Sequence, residues 1–381
     1  MNNTRRLAGL AAAIAVLTLA LGLAACGGDD DAVGGGRDEA AVTATTGDVT
    51  GDLSISNWVG YIDKGEGNTI DEFEQANPGT TVTYTEDIND NADFFGKVQP
   101  LLQNGESGGR SIYVVTDWMA KQMHDLGYLQ EINYADLPNV EANLRDNLRS
   151  PAFDPERTFS VPWQSGMTGV LVNKKLAPDI RSVNDLFDPQ YKGKVTVLTE
   201  MRDTVPLMMK ANGIDPTDAT KEQWLEQIDK LKQAADSGQL RRFTGNDYIQ
   251  DLTNENVVAA IGWSGDVALI ENEDVEWRMP TDGCILWSDN MVIPVGAPNT
   301  PAALGWMDFV YDPAVQADIS DYVRYVSPVK GIEQVNPSLA QDPLVNPPAE
   351  FTAKCTTQPD PPGADADVQE VTEAFQNVIT D

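Results

Sequence analysis

Between Ala259 and Pro294 two apolar, strand-like runs each end in an aromatic residue beside an acid: Trp263 with Asp266, and Trp287 with Asp289. Indole faces next to carboxylates suit an organic cation with apolar methylenes. Its ammonium ends meet the acids while its chain lies on the rings, each desolvated cation–aromatic contact contributing about 0.5–2 kcal/mol. Two core tryptophans with solvated acids nearby would give the same local pattern, so these units have to be read with the elements that position them.

Asp52–Val59 alternates as a first strand, with Leu53 and Ile55 on one face and Trp58 at its exit. Asn68–Gln75 has Ile70 and Phe73 at i, i+3 and acids in its first turn, the pattern of a short amphipathic helix, and Asn77-Pro78-Gly79 stops it. Thr80–Glu86 is a second strand, Phe94–Gln103 a helix, and Ser111–Val115 a third strand leading into Thr116-Asp117-Trp118. This β-α-β-α-β order predicts a mainly parallel sheet with helices on both faces. Ligands of such sheets bind outside the carboxyl ends of the strands, which is where Trp58, Trp118, Trp263 and Trp287 are all expected. Phe159–Val172 reads as a crossover between lobes, and a second α/β series follows: a helix near Val183–Phe187 and a strand at Lys194–Leu198. A helix capped by Thr199 would put Glu200 and Asp203 on one face at the positive end of its dipole, favouring their ionised forms; acids are also common there for purely structural reasons. Trp224–Ala234 reads as a solvated surface helix. Helices are expected at Ala302–Val310 and after Pro313. Beyond the Pro-rich stretch Asn336–Pro362, Val368–Val378 is helix-compatible.

Arg5 and Arg6 precede an apolar run that ends in Leu23-Ala24-Ala25-Cys26. The run is a secretory signal with too short a core for a membrane span. Its ending resembles a bacterial lipobox, which implies cleavage before Cys26 and lipidation of that thiol; an ordinary signal peptide is the alternative. Residues 27–50 are rich in Gly, Asp and Thr and read as a flexible tether. The formal charge of −33 becomes −35 once Arg5 and Arg6 are removed, the wrong sign for a nucleic-acid binder. About 330 residues follow position 50, more than one core serves, so two lobes are expected: 52–165 plus 290–335, and 169–285 plus 340–381. Setting Cys26 aside leaves Cys284 and Cys355, an even remainder that outside the cytoplasm favours a disulfide over two buried thiols. Paired acids such as Glu200 with Asp203 could in principle serve a hydrolase. The chain has one histidine, His124, away from these motifs, and no nucleophile elbow, zinc-spaced cluster or phosphate loop. No enzyme, metal or cofactor is expected.

Taken together, these segments resemble the extracytoplasmic spermidine/putrescine-binding proteins of bacterial ABC importers, in colinear order over most of residues 52–335. Asn57-Trp58-Val59-Gly60-Tyr61 matches the family's Asn-Trp-x-x-Tyr. Val115-Thr116-Asp117-Trp118 stands where the family has Pro-Ser-x-aromatic, and Thr199–Val205 resembles its Asp-Asp-x-Arg-Glu-Val segment. Ala260–Val267 is close to the putrescine-type members, Trp287-Ser288-Asp289 matches the aromatic-x-Asp unit, and Asp318–Tyr325 is a further shared run. The resemblance implies a two-lobed type II periplasmic-binding-protein fold with the ligand in the interlobe cleft. It implies that Trp58, Tyr61, Trp118, Trp263, Trp287 and Tyr325 wall the groove. It implies that Glu200, Asp203, Asp266 and Asp289 bind amines with Thr116 as a hydroxyl partner. The expected partners are a polyamine and the permease subunits, with the membrane reached by a lipid anchor only and the protein itself a monomer. Val59 replaces a small hydroxyl residue, Thr116 replaces Ser, Glu200 and Asp203 swap chain lengths, and Asp117 is an extra acid at the rim. These departures bear on which polyamine is bound more than on the ligand class. No match is found after about Asn336.

Overall fold

The computed structural model describes residues 41–380 and places ten strands in one sheet. They are β1 Gly51–Trp58, β2 Thr80–Ile88, β3 Ile112–Thr116, β4 Val161–Asn173 and β5 Val195–Leu198, then β6 Leu240–Thr244, β7 Ala259–Trp263, β8 Val275–Arg278, β9 Ile285–Val292 and β10 Thr356–Thr357. The order is β2-β1-β3-β9-β4-β7-β5-β6, with β10 on β9 and β8 on β4. β1 runs parallel to β2 and β3, and β5 runs parallel to β6 and β7. Between these triplets stand β9 and β4, antiparallel to each other and to their outer neighbours. This is the expected two-lobed α/β architecture: two parallel triplets with their helices, joined by long strands. β4 pairs with β9 through its first half and with β7 through its second, so the expected crossover is a single continuous strand.

The first strands and helices form as their patterns dictate. Leu53 and Ile55 are buried on one face of β1, and Phe73 is buried in the helix Thr69–Ala76. The Asn68 side chain caps that helix, accepting from the backbone amides of Ile70 and Asp71. Several expectations need correction. The helix expected from Phe94 spans Asn91–Leu102, because Asp90 supplies its cap by accepting from the Asp93 amide. The segment Val183–Phe187 is a turn of 3-10 helix. Thr199 is not a cap: the next helix is Met201–Ala211, and Glu200 occupies the cap position without capping through its side chain. The expected solvated helix, Lys221–Asp236, buries Trp224, Gln227, Ile228 and Leu231 along one stripe. The C-terminal helix Asp365–Thr380 buries Val371, Phe375 and Val378, and Lys221 pairs with its Asp367 and Glu370.

The expected tether is also shorter than its composition suggests. Ala44 is buried and its amide donates to the Glu131 carbonyl, and the Thr80 hydroxyl donates to the Val49 carbonyl. Residues 43–50 therefore belong to the folded part. The signal segment 1–25 and Cys26 lie outside the described residues. Cys284 and Cys355 are joined by a disulfide that closes a 71-residue separation. His124 stacks on Phe159 at 3.9 Å.

Candidate functional site

The carboxyl ends of the parallel strands and the centre of the sheet converge on one narrow cavity. Each element delivers its own side chain. Trp58 and Trp263 close β1 and β7, Thr116 closes β3, and Glu200 and Asn246 follow β5 and β6 by two residues. Trp287 and Asp289 come from inside β9, so Trp287 is not at a strand end as expected. Asp289 lies opposite Thr116 of β3 and Gln164 of β4, and Trp287 lies opposite Gly166. Gly166 has no side chain for a reason: a Cβ there would come within 2.4 Å of the Trp287 ring and 2.9 Å of the Tyr325 ring.

Four acids face this space, each nearly without solvent exposure. Asp289 accepts from the Thr116 hydroxyl at 2.8 Å and the Tyr61 hydroxyl at 2.9 Å. Asp203 accepts from the Thr168 hydroxyl at 2.8 Å, the Trp263 indole at 3.1 Å and the Gln358 amide at 3.2 Å. Asp266 accepts from the hydroxyls of Tyr248 and Tyr325, both at 2.6 Å, and from the Asn246 amide at 2.9 Å. Glu200 accepts on one oxygen, Oε1, from the Asn91 backbone amide at 2.7 Å and its side-chain amide at 2.9 Å. Asn91 also donates to Thr116 at 2.8 Å, which links the Glu200 and Asp289 positions.

The rings form an edge-to-face array along the wall. Trp58 meets Trp263 at 5.5 Å, Trp263 meets Trp287 at 6.5 Å, Trp287 meets Tyr325 at 5.3 Å, and Tyr325 meets Tyr61 at 5.2 Å. Trp58 is fixed by donation from its indole to the Val114 carbonyl at 3.1 Å. Val59 lies at the rim, 37% exposed.

Burial governs the electrostatics. Desolvation pushes the Asp289 carboxyl up to about 7 against the lowering effect of Thr116 and Tyr61, and Asp203 up to about 6 against Thr168, Trp263 and Gln358. It raises Glu200, with the Asp90 charge adding to the effect, and raises Asp266 despite its three donors. The helix dipole had favoured ionised Glu200 and Asp203, but a dipole contribution of about 0.3–1 kcal/mol is small beside the cost of burying a carboxylate. No Lys or Arg is among the described residues that line the cavity. The site is therefore a box of buried acids whose charged forms burial disfavours, with aromatic walls, and a cationic group entering it would favour the carboxylates.

Of the residues singled out in the sequence, Trp58, Val59, Tyr61, Thr116, Glu200, Asp203, Trp263, Asp266, Trp287, Asp289 and Tyr325 line the cavity. Asp117 and Trp118 do not. Both sit in the first turn of the helix Asp117–Asp125, which rotates them away from the strand end that aims Thr116 inward. Asp117 accepts from Asn290 at 2.6 Å, and burial raises its carboxyl to about 6. Trp118 lies beneath the Arg202 guanidinium in an outer groove. Three lining residues carried no signal in the sequence: Asn91, Asn246 and Gln358. Gln358 arrives from the Pro-rich C-terminal stretch, three residues past the disulfide and directly after β10.

Three comparisons bear on this geometry. The spermidine/putrescine-binding periplasmic protein of Escherichia coli is 24% identical over 317 residues, covering 81% of this chain and 87% of that protein. The putrescine-binding periplasmic protein SpuD of Pseudomonas aeruginosa is 26% identical over 333 residues, covering 81% and 87%. A solved structure described as a spermidine/putrescine ABC transporter from Listeria monocytogenes superposes with a TM-score of 0.74 at 25% identity, over 86% of this chain and 98% of that one. Residues 68–347 match the family model described as bacterial extracellular solute-binding protein. The chain thus belongs to the bacterial extracellular solute-binding proteins, a family of extracytoplasmic binding proteins and not of enzymes.

Proposed function

We propose that this protein is the substrate-binding lipoprotein of an ABC importer for a polyamine, putrescine or spermidine. The carrying observation is the cavity itself: four buried acids and five aromatic rings, with no lining cation among the described residues. A polyamine brings the missing positive charge. Its ammonium groups pair with Glu200, Asp203, Asp266 and Asp289, each pair gaining about 4 kcal/mol at 4 Å for an effective dielectric near 20, before desolvation. Its methylenes lie between Trp58, Trp263, Trp287, Tyr61 and Tyr325, burial being favourable by about 25 cal/mol per Å². Thr116, Asn91, Asn246 and Gln358 hold the carboxylates in place, and Val59 forms the rim.

In this reading the lobes, residues 52–165 with 290–335 and 169–285 with 340–381, close on the ligand about the long strands between them. The closed monomer presents the ligand to a permease. Cleavage before Cys26 and lipidation of its thiol would hold the protein at the outer face of the membrane. Among the described residues no helix is long and apolar enough to cross a membrane. The relatives named for spermidine and putrescine support the ligand class.

Intrinsic tryptophan fluorescence tests the proposal, because three tryptophans, Trp58, Trp263 and Trp287, line the cavity. Residues 27–381 are titrated with putrescine, spermidine, spermine, choline and a neutral sugar. Saturable change with one of the polyamines and none with the sugar is expected. A response to choline alone would replace the polyamine by a quaternary amine.

A further inference from the structure

Arg202 stands in the Glu200–Asp203 motif, yet it does not line the cavity. Its guanidinium carbon lies 4.0 Å from the centroid of the Trp118 ring, and its Nε donates to Asp360 at 2.8 Å. These partners come from separate parts of the chain. Trp118 is in the helix after β3, which borders β1 and β9; Arg202 is in the helix after β5, which borders β6 and β7. The stack therefore spans the two halves of the sheet. Asp360 belongs to the segment after β10, tethered to β9 by strand pairing and by the Cys284–Cys355 disulfide.

The location of this cluster gives it a role. Trp118, Arg202 and Asp360 line the outer groove, and Glu200 lines both that groove and the ligand cavity. Glu200 is thus the wall between them, and the stack lies on its outer side. Arg202 is only 12% exposed, so the contact is largely desolvated, the condition under which a guanidinium over an indole is strongest. The Asp360 carboxylate, at 65% exposure, orients the guanidinium more than it shields it. The same short segment places Gln358 on Asp203 and Asp360 on Arg202, so the ligand acid and the stack share one support.

We infer that Arg202, stacked on Trp118 and oriented by Asp360, is a latch between the lobes that holds the closed form shut and sets how fast ligand leaves. Arg202 and Trp118 are positioning residues that touch no ligand. Breaking the latch speeds opening and leaves encounter with the open form unchanged, so the effect falls on release.

Stopped-flow tryptophan fluorescence on residues 27–381 with spermidine or putrescine reads both rates; the ligand used rests on the polyamine reading. Arg202→Ala and Trp118→Ala should each speed release about tenfold with association within about twofold, as loss of one desolvated stack implies. The double variant should release no faster than either single one, because one contact is lost in all three. Trp118→Phe, which keeps an aromatic face, should recover most of the slow release, while Arg202→Lys should not, since an ammonium lacks the planar stack. Thermal midpoints measured alongside should stay near wild type, separating a latch from a folding defect. Additive effects in the double variant, or unchanged release in Arg202→Ala, would overturn the inference. If the wild type binds no polyamine, the ligand reading fails and small-angle X-ray scattering decides on the latch. An Arg202→Ala protein more expanded than wild type supports it, and identical profiles overturn it.

Discussion

Lowering the pH should weaken ligand binding by an amount set by two carboxyls. Burial raises Asp289 to about 7 and Asp203 to about 6 in the empty cavity. An ammonium pairs with the ionised form, so binding expels whatever protons these groups carry. At pH 6.5 the two together hold about one proton, and at pH 8 about 0.1, by simple titration from those values. With both groups ionised in the complex, affinity at pH 6 should be about twentyfold lower than at pH 8, roughly 1.8 kcal/mol. Glu200 and Asp266, raised for the same reason, act in the same direction. The amines of the ligand do not blur the result, since alkyl ammonium groups titrate near about 10. Calorimetry at pH 6.5 in two buffers of different ionisation enthalpy counts the protons released. A count near one in the wild type, reduced in Asp289→Asn, fits the burial argument. A count of zero together with a flat affinity from pH 6 to 8 would refute it.

Further outcomes follow from the same contacts. Asp289→Asn or Glu200→Gln should weaken amine binding at least about tenfold, as expected for a lost desolvated ion pair, in a protein that still folds; unaltered affinity in both would sink the site assignment. Gly166→Ala should cripple binding in a folded protein, because its Cβ would overlap the Trp287 and Tyr325 rings; wild-type affinity would show that those rings do not form the wall. Acids with raised values make the empty fold lose stability as pH climbs from about 4 through 7, since the folded form holds protons that the unfolded chain has released. Scanning calorimetry should therefore find the empty protein gaining more from saturating ligand at pH 8 than at pH 5.5, and equal gains would contradict this. Reducing Cys284–Cys355 frees a 71-residue loop and should cost up to about 4 kcal/mol in denaturant unfolding.

Much of the site was legible because its chemistry is carried by rare residues at topologically special positions. Trp58 and Trp263 announce themselves as aromatics at the exits of β-rich runs. Asp266 and Asp289 announce themselves as acids where a strand pattern turns polar. What could not be read is direction. Thr116, Asp117 and Trp118 are adjacent in sequence, but a strand ends and a helix begins between the first and second, so only Thr116 faces the cavity. The amides Asn91, Asn246 and Gln358 were missed because an amide that steadies a carboxylate looks like any loop or helix-start residue. Gln358 lies 155 residues from its partner Asp203, and only the folded C-terminal segment brings them together. The ionisation of Glu200 and Asp203 is hidden for a related reason: a helix start is visible locally, whereas desolvation is the sum of everything packed around it. Around Trp224 the mixed charges of the sequence suggest a solvated helix and mask a stripe that is fully buried.

The most direct measurement is the calorimetric isotherm of residues 27–381 with spermidine and putrescine, run beside Asp289→Asn. Saturable one-to-one binding by the wild type, weakened at least about tenfold in the variant, is the predicted result. Absence of heat with either amine, or equal affinity in both proteins, would contradict a polyamine held by this cavity.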